Sequence, residues 1–101
     1  MYRYGNKGLS FEWDASKEVS NIHKHRVNFL EAVETFFDPQ GIQMIDKCHS
    51  QSEIRYYWIG RSKNNRILTT WFTWRKEDIR IIGSAEMRKF KKVYYETAQT
   101  R

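Results

Sequence analysis

The run RILTTWFTW, residues 66–74, is β-branched and aromatic on both of the faces a strand would present. Successive strand residues point to opposite sides of a sheet, so this composition suits an interior strand and not an edge. It needs neighbours, and the flanking sequence offers them. EIRYYWIG (53–60) alternates Ile54, Tyr56 and Trp58 against Glu53, Arg55 and Tyr57. The polar RSKNN (61–65) between the two fits a hairpin connection, where Asn tolerates positive φ. RKED then turns the chain into the strand IRII (79–82), and IQMID (42–46) is short enough for an edge.

Helices bracket these strands. After an extended FEWD (11–14), Asp14 is a suitable N-cap for a helix of about 15–25, with Ala15, Val19 and Ile22 as its apolar face. Asn28 followed by Glu31 resembles a capping box. It opens a helix of about 29–37 that buries Phe29, Ala32, Val33, Phe36 and Phe37. DPQG (38–41) ends that helix, because Pro cannot donate a helical hydrogen bond and disfavours helix at Asp38. Gly83-Ser84 reads as a loop and N-cap before a last helix of about 85–98, with Met87, Phe90, Val93 and Tyr94 on its apolar side. The expectation is one α+β domain over 1–101, an antiparallel meander with helices covering one sheet face.

Composition narrows the function classes. At 40% hydrophobic and 16% aromatic the chain carries too much apolar material for disorder. Its single cysteine, Cys48, excludes an internal disulfide. The opening MYRYGNKGLS lacks a signal-peptide core, and no stretch nears the roughly 18 apolar residues of a membrane span. A cytoplasmic protein without a membrane partner is expected. The net charge of +6 is lopsided: residues 1–50 hold six Lys/Arg against seven Asp/Glu, and residues 51–101 hold twelve against five. A half with net +7 points to a polyanionic partner, either nucleic acid or an acidic protein that mimics it.

The densest group of reactive side chains is NIHKHRVNF (21–29). His23 and His25 are two apart, so on a helix they diverge by roughly 200°, unlike an i, i+4 metal pair. Cys48 and His49 are the further donors and sit in an expected loop, so no metal site is expected. The acids are scattered and the five glycines dispersed, which leaves neither a carboxylate pair nor a phosphate-binding loop. What remains is cationic. Arg55 and Arg80 lie inside strands and Arg75 ends one. They are either ordinary outward-facing strand residues or a clamp for a phosphate. The final helix sets Arg88, Lys89, Lys91 and Lys92 away from its apolar side, as a solvated face or as a binding face. Tyr57, Trp74 and Tyr94 are candidate base-stacking aromatics, and equally candidate core.

Taken in order, FEWD (11–14), Lys17, Asn21, Lys24-His25, Val27, Phe29, Glu31-Ala32, FDP (37–39), Arg55, Gly60, and IRII with Ser84-Ala85 resemble the BrnT toxins. These are ribonuclease components of bacterial type II toxin–antitoxin systems. The resemblance implies a RelE-like fold, a small antiparallel sheet packed against N-terminal helices with a C-terminal basic helix. It implies an endoribonuclease that inhibits translation and needs no metal or other cofactor, the RNA's own 2′-hydroxyl attacking the scissile phosphate. Lys24, His25, Arg75 and Arg80 are then the catalytic candidates. Arg55, Arg61, Arg66, Arg88, Lys89, Lys91 and Lys92 are the RNA-binding ones. An imidazole suits proton exchange near neutrality, although Lys24-His25 reads equally as a structural pair capping the first helix, and His23 as surface. The implied partner is a BrnA-type ribbon-helix-helix antitoxin, through which alone DNA would be contacted. One departure stands out: Glu86 occupies the place of a family arginine, with Arg88 as the nearest substitute. Residues 1–10 have no counterpart in the pattern and are expected to be partly flexible. The reading from another class is a non-catalytic nucleic-acid- or partner-binding module on the same fold.

Overall fold

Two side-chain caps set the N-terminal half. Asp14 Oδ1 accepts from the Ser16 N–H at 2.9 Å and starts α1, Ala15–His25. Arg26 ends it in the left-handed region, φ 59°, with its N–H bonded to the Ile22 carbonyl. Asn28 Oδ1 accepts from the Glu31 N–H at 2.8 Å and starts α2, Phe29–Thr35. Only that half of the capping box forms, because the Glu31 carboxylate turns to Ser62 and Arg66. The computed structural model describes residues 1–48 and 52–100, so His49 lies outside the described residues.

The strands are β1 (Tyr2–Asn6), β2 (Leu9–Trp13), β3 (Ile42–Ile45), β4 (Arg55–Arg61), β5 (Ile67–Arg75) and β6 (Asp78–Ala85), and α3 spans Arg88–Thr100. They form one sheet in the order β1-β2-β6-β5-β4-β3. β5, the doubly apolar run, is interior as its composition demands. Four expectations need correcting. The sheet is mixed, since β2 and β6 pair in parallel. Everything between them, two helices and three strands, serves as the crossover a parallel pair needs. Residues 1–10 are not a loose lead-in: Lys7 and Gly8, both at positive φ, turn β1 back onto β2.

The third correction concerns Gly83-Ser84, which continues β6 and does not form a loop. Gly83 is in the strand because the Trp71 ring lies across it; a Cβ there would sit 2.3 Å from that ring. The fourth is that helices cover both faces. Phe29, Ala32 and Val33 of α2 pack with Phe11, Trp13, Phe72, Ile79 and Ile81 on one side. Phe90 and Tyr94 of α3 pack with Ile59 and Ile67 on the other. α3 reaches only part of its face, over β4 and β5. The part of the sheet it leaves open holds the charged strand residues.

Candidate functional site

Strand register assembles the site. On the α3 side of the sheet, Arg3, Glu12, Arg80, Thr73 and Arg55 are successive partners across β1, β2, β6, β5 and β4. A second row runs Ser10, Asp78, Arg75, and Glu53 extends it by accepting from Arg75 Nε and Nη2 at 3.1 and 3.0 Å. Above these rows lie Tyr57, Trp71 and Gly83. α1 forms one wall. Its Asn21 holds it there: the side-chain amide donates to the Ser84 carbonyl at 2.8 Å and accepts from the Ser84 N–H at 3.0 Å, as a neighbouring strand would. A third bond, to the Val27 carbonyl at 2.9 Å, fixes the turn into α2.

The face of α1 turned to the sheet therefore carries Lys17, Asn21 and Lys24, and the apolar face is outside. Val19 is 68% exposed and Ile22 is exposed as well, contrary to the amphipathic reading. Lys17, Ser20, Lys24 and His25 line a depression floored by Trp71 and Ile82. His25 meets the Trp71 ring edge-on, centroids 6.1 Å apart. Next to it, Lys17, Arg55, Thr73, Arg75 and Arg80 line a second depression, and Arg55, Tyr57, Trp71, Met87 and Asp46 a third. Their volumes, about 230, 160 and 260 Å³, are each below the usual small-molecule pocket, and shared walls join them into one shallow groove. Such a shape suits an extended chain better than an enclosed small ligand.

The groove thus gathers Lys24, His25, Arg55, Arg75 and Arg80 of the sequence candidates. Arg61 and Arg66 do not line it. Arg61 lies over the rings of Tyr94 and Tyr95, 5.7 Å from each. Arg66 Nε donates to the buried Glu31 carboxylate at 3.0 Å and Nη2 to the Arg26 carbonyl at 2.9 Å, tying the β4–β5 turn to α2. Glu86 lies 3.4 Å from the same guanidinium, so it faces Arg66. Arg88, Lys89, Lys91 and Lys92 are exposed on α3. Trp74 pairs with Ile79, on the α2 side of the sheet, and Tyr94 donates to Asp38 at 2.6 Å, so neither faces the groove.

Sequence reasoning passed over Lys17 as a groove cation, and with it Glu12, Trp71 and Thr73. Lys17, Asn21 and Lys24 have i, i+4, i+7 spacing, a signal for one polar helix face. Thr73 is 3% exposed, and its hydroxyl oxygen is the buried side-chain polar atom without a partner among the described residues. Tyr57 is pushed above the usual phenol range by burial and then by the Asp46 carboxylate, so it stays protonated at neutral pH. Among the described residues no three or more His, Cys, Asp or Glu are grouped to hold a metal ion, and no helix is long and apolar enough to cross a membrane.

The fold and groove define a class: a small α+β protein with a half-open mixed sheet whose bare half presents arginines between a lysine-bearing helix and an aromatic floor. The sequence model described as "Ribonuclease toxin, BrnT, of type II toxin-antitoxin system" matches residues 13–90, and the chain belongs to that family. No curated protein matches it by sequence. Among solved structures it is similar to the crystal structure of the Brucella abortus ribonuclease toxin BrnT, with a TM-score of 0.61 at 19% identity. That match covers 76% of this chain and 94% of the Brucella chain.

Proposed function

We propose that the groove cleaves RNA without a metal ion, the ribose 2′-hydroxyl attacking the adjacent phosphate to leave a 2′,3′-cyclic phosphate and a free 5′-hydroxyl. The observation that carries this is the unpartnered Thr73 hydroxyl between its two register neighbours, Arg55 and Arg80. A buried hydroxyl without a partner is rare and destabilising. This one is closed to solvent within the row, and a phosphate oxygen that enters as the flanking arginine side chains part would satisfy it. Arg80 and Arg75 then meet the negative charge that builds on the phosphoryl oxygens. His25, on the opposite wall with Lys24, exchanges the proton of the attacking hydroxyl or of the leaving oxygen, and Lys24 adds charge stabilisation. Trp71 supports one base by stacking and Tyr57 donates a hydrogen bond beside it.

In this reading the protein acts in the cytoplasm as a translation inhibitor and is silenced by its antitoxin. We place that antitoxin in the BrnA class, a ribbon-helix-helix protein that supplies the only contact with DNA. The basic outer face of α3, Arg88, Lys89, Lys91 and Lys92, is the surface nearest that contact.

The test is incubation of the purified chain with single-stranded RNA, with and without EDTA. Cleavage in EDTA with cyclic-phosphate ends is expected. Activity lost in EDTA and restored by a divalent ion would overturn the mechanism. RNA retained without cleavage would make the chain a binding module.

A further inference from the structure

We infer that Glu12 is a positioning residue for Arg80, and that strand β1, through Arg3, is a working part of the groove; the inference rests on the ribonuclease reading above. Both residues lie outside the matched span, which begins at residue 13.

Glu12 is 3% exposed, and its neighbours Phe11 and Trp13 are core residues pointing the other way. An ionised carboxylate that enclosed persists only where cations and hydrogen bonds compensate its lost hydration. The register supplies them on both sides, Arg3 on β1 and Arg80 on β6. Oε2 accepts from Arg80 Nε at 2.7 Å and pairs with Nη2 as well. The Nε–Nη2 edge of Arg80 is thereby fixed against the carboxylate, which leaves the Nη1 end for an acceptor in the groove. Oε1 lies 3.4 Å from Arg3 Nη2.

Arg3 has a second job. Its Nη1 donates to Asp78 at 2.8 Å, and Asp78 is the register neighbour of Arg75. One exposed arginine on the N-terminal strand thus engages both carboxylates that flank the groove arginines. Glu12 and Arg80 alone would present no net charge to a phosphate. Arg3 and Asp78, paired with each other, add no net charge to that set. What Arg3 supplies is a second cation on Glu12, so that the carboxylate orients Arg80 while sharing its charge between two guanidiniums. Arg75 has no comparable support, since its partner Glu53 is exposed and free to leave.

Orientation of a charge donor acts on the transition state, whereas added charge acts on binding in general. Glu12→Gln, which keeps the shape and removes the charge, should lower kcat at least about tenfold with KM within about threefold of native. Arg3→Ala should raise KM several-fold with kcat nearly native. A readout independent of cleavage is the Arg80 side-chain Nε–H resonance, slow to exchange with solvent in the native chain and fast in Glu12→Gln, against an amide spectrum of native dispersion. Should Glu12→Gln fail to fold, Glu12→Asp, one methylene short, should show the same changes to a smaller degree.

If the native chain cleaves no RNA, the ribonuclease reading fails and the resonance alone decides the positioning role. Equal Nε–H exchange in native and Glu12 variants, or equal kcat in a cleaving native chain and its Glu12 variants, overturns that role. A native KM in Arg3→Ala overturns the part given to β1.

Discussion

Arg75 and Arg80 share a groove but not a setting. Arg75 and its counter-ion Glu53 are 48% and 42% exposed, and such pairs contribute about 0–1 kcal/mol, so a phosphate exchanges with Glu53 cheaply. Arg80 faces a buried carboxylate, and removing one partner of a buried pair costs about 3–5 kcal/mol. Arg75→Ala and Arg80→Ala should therefore each slow RNA cleavage by roughly 10²-fold or more, as loss of a transition-state charge donor does. Their stabilities should differ: about 1 kcal/mol or less lost for Arg75→Ala, and toward about 3 kcal/mol for Arg80→Ala, where Arg3 still accompanies Glu12. Single-turnover cleavage and urea unfolding of both variants check this; folded variants cleaving at native rates would remove both arginines from the site. Thr73 offers the sharper experiment. Thr73→Val keeps the shape and deletes an unpaired buried hydroxyl, so stability should rise by about 1 kcal/mol while cleavage slows. A Val variant less stable than the native chain would mean that the hydroxyl has a partner in solution, and the phosphate seat would lose its main support.

At the scale of elements, α1 is held by polar bonds where an apolar stripe seemed the obvious anchor. Asn21 pairs with both backbone groups of Ser84, and Glu18 accepts from Trp13 Nε1 at 3.1 Å and from the Phe29 N–H at 2.8 Å. Asn21→Ala would strand buried donors and acceptors at about 1–3 kcal/mol each, so a loss of about 2–4 kcal/mol is expected. Val19→Lys, on the exposed side, should stay within about 0.5 kcal/mol of native. Urea midpoints at constant m-value separate the two, and a larger loss for Val19→Lys would restore the apolar face as the packed one. This inversion shows where the sequence stops being readable. Caps, the Pro39 stop and the composition of β5 are local, and each marked its element. The parallel pairing of residues 10–12 with 78–80 has no local signature, and the open half of the sheet follows from it. Arg55, Arg75 and Arg80 were visible because charge inside a strand is unusual. Glu12, Thr73 and Trp71 looked like ordinary strand residues, since only register sets them beside those arginines.

For the molecule as a whole, charge governs both acid stability and association. The Arg66 hydrogen bond holds the Glu31 carboxyl below its ordinary value of 4.5. Burial would raise Asp38, but the Tyr94 hydroxyl and the Gln40 and Arg61 N–H groups outweigh it and keep it below 3.8. Depressed carboxyls contribute stability that is present above their unfolded values and is lost as pH falls through the folded ones. Unfolding free energy should therefore hold from neutrality to about pH 4.5 and decline below it, with a flatter acid limb in Glu31→Gln and Asp38→Asn; an unchanged limb in both would assign the decline to other groups. Association draws on the opposite sign. Residues 51–101 carry net +7, and Arg88, Lys89, Lys91 and Lys92 stand exposed on α3. A proposed antitoxin that covers this surface would approach it through acidic residues, and complementary charge speeds encounter more than it fixes final affinity, which apolar anchors set. Lys91→Glu with Lys92→Glu touches neither Phe90 nor Tyr94, so α3 should stay docked. The double variant should bind the antitoxin several-fold more slowly at low salt, with a weaker dependence of the association rate on ionic strength. Stopped-flow association at two salt concentrations measures both quantities. An unchanged rate and salt slope would move the contact off this helix and leave its charges as a solvated face.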